Sequence, residues 1–427
     1  MRYALILVFA AALGAQPKYD LLLKGGHVLD ARNGINTVRD VAIKDGKIAA
    51  VGANIAASDA LKTIDVKGLY VTPGLVDIHT HVLAMSGLRG SLVEDQNVWA
   101  DSHSFRYGVT TMVDAGSSGW RNFPEQKARI LDHTRTRVLA MINIVGHGQL
   151  GDPYEQDVKD MDPAATAAMI KRHPGVIVGI KTAHYRGPEW TAVERAVEAG
   201  RLADVPVMVD YGAFRPERPF EELVTKKLRP GDIYTHTYLG RVPMLDDAGK
   251  VRKYLFEARK RGVIFDAGHG GGSFLFRQAV PAIQQGFLVD SISTDLHTES
   301  MNAGMKDMLN VLSKFVNIGV PLADVIARAA WHPARQIKRT DLGHLSPGAP
   351  ADVAVLRVEQ GNFGFVDSFG ARLRGTQRLV CELTVRDGLL MWDLNGLARA
   401  DWNTQGNYQK MQDRRWDSTY GPLPKQR

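Results

Sequence analysis

The sequence predicts an α/β fold, a (β/α)8 TIM-type barrel carrying a small β-sandwich domain assembled from both ends of the chain. Three observations predict it. Eight short Val/Ile-rich runs recur at intervals of about 26 to 35 residues, the length of one strand, one helix and two loops. Segments between them, such as PEWTAVERAVEAGRLAD and GKVRKYLFEARKRG, place apolar residues at helical spacing. Nearly every run ends in a side chain capable of chemistry, and in a (β/α)8 barrel those strand ends converge on one face. A doubly wound open sheet is the rival, but no Gly-rich phosphate fingerprint follows the first run.

In chain order, MRYALILVFAAALGAQP sets Arg2 before an apolar run and the small residues Gly14 and Ala15. That is the layout of a signal peptide over residues 1–15 and predicts export to the periplasm or the exterior. An N-terminal strand or a membrane anchor is the alternative. Residues 16–72 are strand-like and turn-punctuated, with hairpins expected at KGG and KDGK. The same texture returns over 340–400 in GAPADVAVLRVEQ and RLVCELTVRDGLLMW, so the two ends are expected to pair into one small β domain. Residues 73–339 hold the barrel, and 401–427 read as a tail.

Composition narrows the function classes. The net charge is +7, but Lys and Arg alternate with Asp and Glu over most of the chain, which argues against nucleic acid as a partner. No later stretch approaches about 18 uninterrupted apolar residues, which argues against stable membrane insertion. The only cysteine, Cys381, rules out an internal disulfide framework and reads as a buried strand residue. A small-molecule substrate is the expected partner, with assembly into a homo-oligomer left open.

The run ends carry the chemistry. LVDIHTH ends in His79 and His81, VTTMVDAG holds Asp114, RVLAMINIVGHG holds His147 and VIVGIKTAH holds Lys181. VPVMVDYG holds Asp210, DIYTHTYLG holds His236, GVIFDAGHG holds Asp266 and His269, and DSISTDLHT holds Asp295 and His297. An H-x-H on a strand turns both imidazoles to one face. By itself such a pair is more often structural, but with carboxylates from other strand ends it suits zinc or a similar divalent ion. Such an ion lowers the pKa of bound water to about 7. Lys181 would be costly to bury as an unpaired ammonium, so it either pairs with a carboxylate or is modified into an oxygen ligand. Asp295 can ligate metal and shuttle a proton, or simply cap the following helix. His147, His184, Tyr185 and His269 are candidates for orienting a substrate carbonyl or hydroxyl, and Arg186 or Arg241 for pairing with a substrate carboxylate. His269, inside DAGHGGGSF, is foremost among these, because the glycines allow close backbone approach to a ligand.

As an ordered set, TPGLVDIHTHV, GIKT, GDIYTHTYLG, DAGHGGGSF, SISTDLH and LGHLSPGAPADVAVL resemble the amidohydrolase superfamily of metal-dependent hydrolases. More narrowly they resemble its deacetylase branch, which acts on small acetylated acids. The resemblance implies one or two divalent ions, zinc foremost and manganese as the alternative. His79, His81 and Asp295 would hold the first, a carboxylated Lys181 would bridge, and His236 would serve the second. Where the family pattern has a histidine after PVMV, this sequence has Asp210. Three roles are compatible with it: an oxygen ligand to the second ion, a partner that holds His236, or the mark of a lost second site. The implied activity is hydrolysis of an amide or ester of a small acylated carboxylic acid by metal-bound hydroxide, with Asp295 catalytic. A cyclic amidase, dipeptidase or deaminase would use the same scaffold, and a secreted metal- or ligand-binding protein without turnover is the non-enzymatic alternative.

Overall fold

The computed structural model describes residues 17–83 and 96–404. The signal-peptide segment 1–15 and most of the tail expected over 401–427 lie outside the described residues.

Strands β1 (Tyr19–Asp30), β2 (Ile35–Lys44), β3 (Lys47–Gly52), β4 (Ala60–Asp65) and β5 (Tyr70–Pro73) come first along the chain. Next come β6 (Leu75–Thr80), β7 (Val109–Gly119), β8 (Arg137–Asn143), β9 (Ile177–Thr182), β10 (Val207–Val209), β11 (Ile233–Tyr234) and β12 (Ile264–Phe265). The last three are β13 (Val353–Val366), β14 (Arg372–Arg386) and β15 (Leu389–Asp393).

β6 to β12 form one seven-stranded sheet in chain order, every adjacent pair parallel. All residues of β6, β7 and β9 are buried, as expected of parallel strands covered on both faces. The eighth run is not a ladder strand. It touches both edges through isolated bridges, Asp266 to Ser291 and Thr80 to Leu296. Its polar text explains why: Ser291 and Ser293 hydroxyls donate to Asp266 and the Thr294 hydroxyl to Asp77, while Asp295 takes a left-handed φ of 53°. Side chains therefore reinforce the scattered backbone bonds that hold this run, such as Ala267 N–H to the Ser291 carbonyl and His81 N–H to the Leu296 carbonyl.

The two chain ends share a second, mixed sheet in the order β15-β14-β13-β5-β1-β2-β3, with β4 also paired to β1. KDGK is the β2–β3 turn, with Asp45 and Gly46 both at positive φ. KGG is not a hairpin. Gly25, at φ 78°, lies within β1 where its register with β2 shifts between Leu23 and Gly26, so the glycines make a bulge and the strand continues. Cys381 is buried on β14.

The sheets are bolted together at the N-terminal ends of the parallel strands. Arg137 at the start of β8 pairs with Asp352 and Asp387, and the Gly74 N–H donates to the Asp352 carbonyl at 2.8 Å. A Cβ on Gly74 would run into Thr110, so only glycine fits between β5 and β6. At the opposite end the β13–β14 hairpin reaches over the loop after β12, where the Ser368 N–H donates to the Phe274 carbonyl and the Asp367 carboxylate accepts from the Phe276 N–H. Among the described residues no helix is long and apolar enough to cross a membrane.

Candidate active site

The C-terminal strand ends surround a cavity of about 380 Å³ lined by His79, His81, Lys181, Asp210, His236 and Asp295, among others. The six side chains expected at a metal centre, drawn from four strand ends and the eighth run, are thus brought to one place. His79 Nε2 stands 3.4 Å and His81 Nε2 3.0 Å from Asp295 Oδ1. One ligand atom from each of the three lies within 4.8 Å of the others. Lys181 Nζ is 2.8 Å from His79 Nε2, and His236 Nε2 is 3.4 Å from Asp210 Oδ2 and 4.0 Å from Asp295 Oδ2.

The second nitrogen of each histidine is tied elsewhere, which fixes ring orientation. His79 Nδ1 bonds the Thr235 hydroxyl at 2.9 Å, His81 Nδ1 the Ser117 hydroxyl at 3.0 Å, and His236 Nδ1 donates to the Gly268 carbonyl at 2.6 Å. The frame behind them is built by the other strand-end acids. Asp114 accepts from the N–H groups of Val82, Leu83 and Ser117, and Asp266 accepts from the hydroxyls of Thr235, Ser291 and Ser293. His184, His236 and Asp295 all sit at positive φ, at 58°, 61° and 53°, a strained backbone of the kind that clusters at functional sites.

Electrostatics divide the cluster. Burial, then the Lys181 charge, holds His79 well below the usual imidazole range, and burial likewise lowers His81. Both rings are neutral acceptors. Burial pushes the Asp295 carboxyl up, but His79, His297 and His81 together outweigh it and hold it well below the carboxylate range. Burial also opposes ionisation of Asp210, and His236 and His184 outweigh it in the same way. Two neutral imidazoles and an ionised carboxylate are the protonation states a divalent ion requires, so the residues present fit a metal. Lys181, fully buried and lowered by that burial, is not a ligand as an ammonium. Its stem has room because Gly116 faces it, where a Cβ would stand 2.6 Å from Lys181 Cβ.

Of the six residues expected to hold substrate, five lie elsewhere and do not line the cavity. His147 packs its ring on Tyr154 at 5.6 Å. The Tyr185 hydroxyl donates to Glu189 at 2.7 Å, Arg186 pairs with Asp152, and Arg241 is exposed. His269 is buried beneath the loop, stacked on Phe274 at 4.6 Å with its Nε2 2.6 Å from Lys314 Nζ. The glycines around it do line the wall, at Gly271 and Gly272, while the histidine anchors them from behind. His184 does reach the cavity, but both its nitrogens are engaged, Nδ1 at 2.6 Å from Glu155 and Nε2 at 3.3 Å from Asp210. Its side chain is about half exposed, and although partial desolvation disfavours its charge, these two carboxylates raise its pKa to about 10, so it is an imidazolium. Gln96, Gln149, Ser273 and Glu299 line the cavity without having been singled out in the sequence. Gln96, Gln149 and Ser273 lie on connections and Glu299 in the short helix Thr298–Asn302, where no periodicity marks a direction.

Barrel-type strand ends converging on neutral imidazoles and an ionised carboxylate define a metal-dependent hydrolase. No family model matches the chain. It is 33% identical over 339 residues to a deacetylase of Agrobacterium fabrum (strain C58), covering 76% of this chain and 80% of the relative. It is 32% identical over 340 residues to a deacetylase of Brucella anthropi, covering 77% and 81%. A solved adenine deaminase structure superposes with a TM-score of 0.79 at 29% identity, over 88% of this chain and 100% of that one. The chain belongs to the amidohydrolase superfamily, among its deacetylase relatives.

Proposed function

We propose that the chain is a deacetylase-type hydrolase that removes the acyl group from a small acylated compound, working with one or two divalent ions, zinc or manganese. The observation that carries this reading is the convergence of His79, His81 and Asp295 ligand atoms within 4.8 Å. When bound, the ion polarises the scissile carbonyl and lowers the pKa of water to about 7. Asp295 is the catalytic acid–base group: ionised in the resting site, it takes a proton during attack and returns it to the leaving nitrogen or oxygen. Lys181, in carboxylated form, would supply an oxygen ligand to the ions. Its lowered pKa supports this, because only a neutral amine can take up carbon dioxide. Asp210 and His236 would hold a second ion, and the Asp210 oxygen would shift its preference toward manganese.

The fold proposed to carry this chemistry is a (β/α)8 barrel closed by the eighth run, supported by the hydrogen bonds from Asp295 N to His79 O at 2.7 Å and from Gly270 N to Thr294 O at 2.9 Å. Export is proposed from the leader-like text of residues 1–15 alone. The likeness to an adenine deaminase supports a second reading, release of ammonia from an aminated heterocycle.

The test is a panel of N- and O-acetylated compounds and aminated heterocycles, run on protein loaded with zinc or manganese, with acetate and ammonia release measured separately. Acetate release that falls roughly 10²- to 10⁴-fold in Asp295→Asn, at unchanged circular dichroism, is expected. Ammonia release alone would favour the second reading, and near-wild-type turnover in Asp295→Asn would sink the assignment of that residue.

A further inference from the structure

One side chain in the cavity has hydrogen-bonding capacity that nothing in the described protein uses. Gln149, on the loop after β8, is 5% exposed and lines the cavity. Its Oε1 is buried with no donor in reach. Its backbone, by contrast, is fixed. The Gln149 N–H donates to the Gly116 carbonyl at 3.1 Å, and the Asn143 amide donates to the same carbonyl at 3.3 Å. The next residue, Ser117, carries the hydroxyl that orients His81. Gly148 lets the turn close, at φ 78° and with Ser117 backbone where a Cβ would be. Gln149 is therefore held at a set position on the frame that aims a metal-site histidine.

A buried amide without a partner destabilises a folded protein relative to an apolar group of the same shape. Such a group calls for an explanation, and a ligand that supplies the partner is one. We propose that Gln149 is a specificity-determining residue that hydrogen-bonds a neutral polar group, an amide or a hydroxyl, on the acylated substrate; the inference rests on the deacylase reading above. Rotation about its last torsion presents either the oxygen or the NH2 of the amide. Such a group pairs best with one that both donates and accepts, which a neutral amide or hydroxyl does and a carboxylate does not. The rest of the wall agrees. The basic side chains among the described lining residues are already engaged: Lys181 lies against His79 at the metal centre, His184 and His236 face Asp210, and His79, His81 and His297 face Asp295. Glu299, exposed in the same wall, adds a negative charge that disfavours an acidic substrate.

The test is Gln149→Leu, which keeps approximate volume and removes the amide. In the metal-free state the variant is expected to melt at or above the wild-type temperature, since it loses an unpaired buried dipole. Zinc content should be unchanged. On matched N-acetylated amino-acid amides and free acids, zinc-loaded wild type should favour the amides, and the variant should lose kcat/KM on the amides by roughly tenfold to hundredfold, mainly through KM. Acid turnover should not move. A variant that melts several degrees lower and keeps the wild-type preference would assign Gln149 a packing role and overturn the proposal, as would a wild-type preference for the acids. If zinc-loaded wild type cleaves nothing in the panel, the deacylase reading fails on its own. Calorimetric binding of N-acetylglycinamide and N-acetylglycine then decides: equal amide affinity in wild type and variant overturns the inference, and loss confined to the amide supports it.

Discussion

Lys314 stands in the helix Met308–Ile318 with 0% of its surface exposed. Its ammonium donates to the Gly304 carbonyl at 2.6 Å and meets His269 Nε2 at 2.6 Å, with the charges of Asp367 and Asp307 in reach. Burial lowers its pKa from 10.5 to about 7. In the unfolded chain the group titrates near pH 10.4. Below pH 7 both states carry the proton and the burial penalty is present in full. Between pH 7 and about 10 the unfolded chain keeps a proton that the folded chain has released, so stability rises with pH. Each unit is worth about 1.4 kcal/mol, so the rise from pH 7 to 9 is on the order of 3 kcal/mol. Lys314→Met keeps the apolar stem and abolishes the titration. It also leaves the Gly304 carbonyl and His269 Nε2 unpaired, at about 1–3 kcal/mol each, but that penalty does not vary across this range. Urea unfolding of both proteins at pH 6, 7, 8 and 9 should show the wild type gaining on the variant by about 3 kcal/mol between pH 7 and 9. A difference that stays flat from pH 6 to 9 would refute the buried, depressed ammonium.

Two further perturbations probe the centre itself. Gly270→Ala places a Cβ 2.5 Å from Asp295 Oδ2 on a backbone at φ 54°, so kcat should fall while metal content, measured by atomic emission, stays near wild type. Ser117→Ala removes the hydroxyl 3.0 Å from His81 Nδ1 and should weaken metal affinity roughly tenfold to hundredfold in a competition titration with a chelator; unchanged affinity would show that His81 is oriented by other contacts.

Much of this architecture is written in the sequence because buried parallel strands must be apolar on both faces. Runs such as VTTMVDAG and VIVGIKTAH are unbroken for that reason, and a barrel maps their ends to one place. The metal-site candidates were legible through that mapping and not through any one motif. Legibility stops where side chains share the holding. SISTDLH looks like its seven companions, yet its serines and threonine bond Asp266 and Asp77, partners no local pattern could name. His269 sits in the most ligand-like text of the chain, but its partner Lys314 lies 45 residues on and turns it away from the cavity. Arg186 looked available for a carboxylate, and Asp152 of the same protein had already taken it. The KGG step misled for a different reason: a left-handed glycine serves a bulge as well as a turn, and only the pairing of β1 with β2 tells them apart.

The departure at Asp210 has a structural logic of its own. Putting a carboxylate where the family pattern has an imidazole adds a negative charge inside a buried site, and an isolated one would be expelled or neutralised. Here it is answered on both sides. Asp210 Oδ2 lies 3.3 Å from His184 Nε2 and 3.4 Å from His236 Nε2, and His184 is itself clamped by Glu155 at 2.6 Å. A decayed site would not be expected to acquire a dedicated counter-charge. The arrangement is a carboxylate position with its own imidazolium, and the two must be exchanged together. Asp210→His alone sets a third imidazole beside a cation whose other partner, Glu155, keeps it charged, so ion binding at His236 should weaken. Asp210→His combined with His184→Gln removes that cation and should recover the ion count. Metal stoichiometry after dialysis against limiting manganese and then zinc reads both outcomes. A single variant that holds as many ions as wild type, as tightly, would show that His184 plays no part in balancing the fifth-strand position.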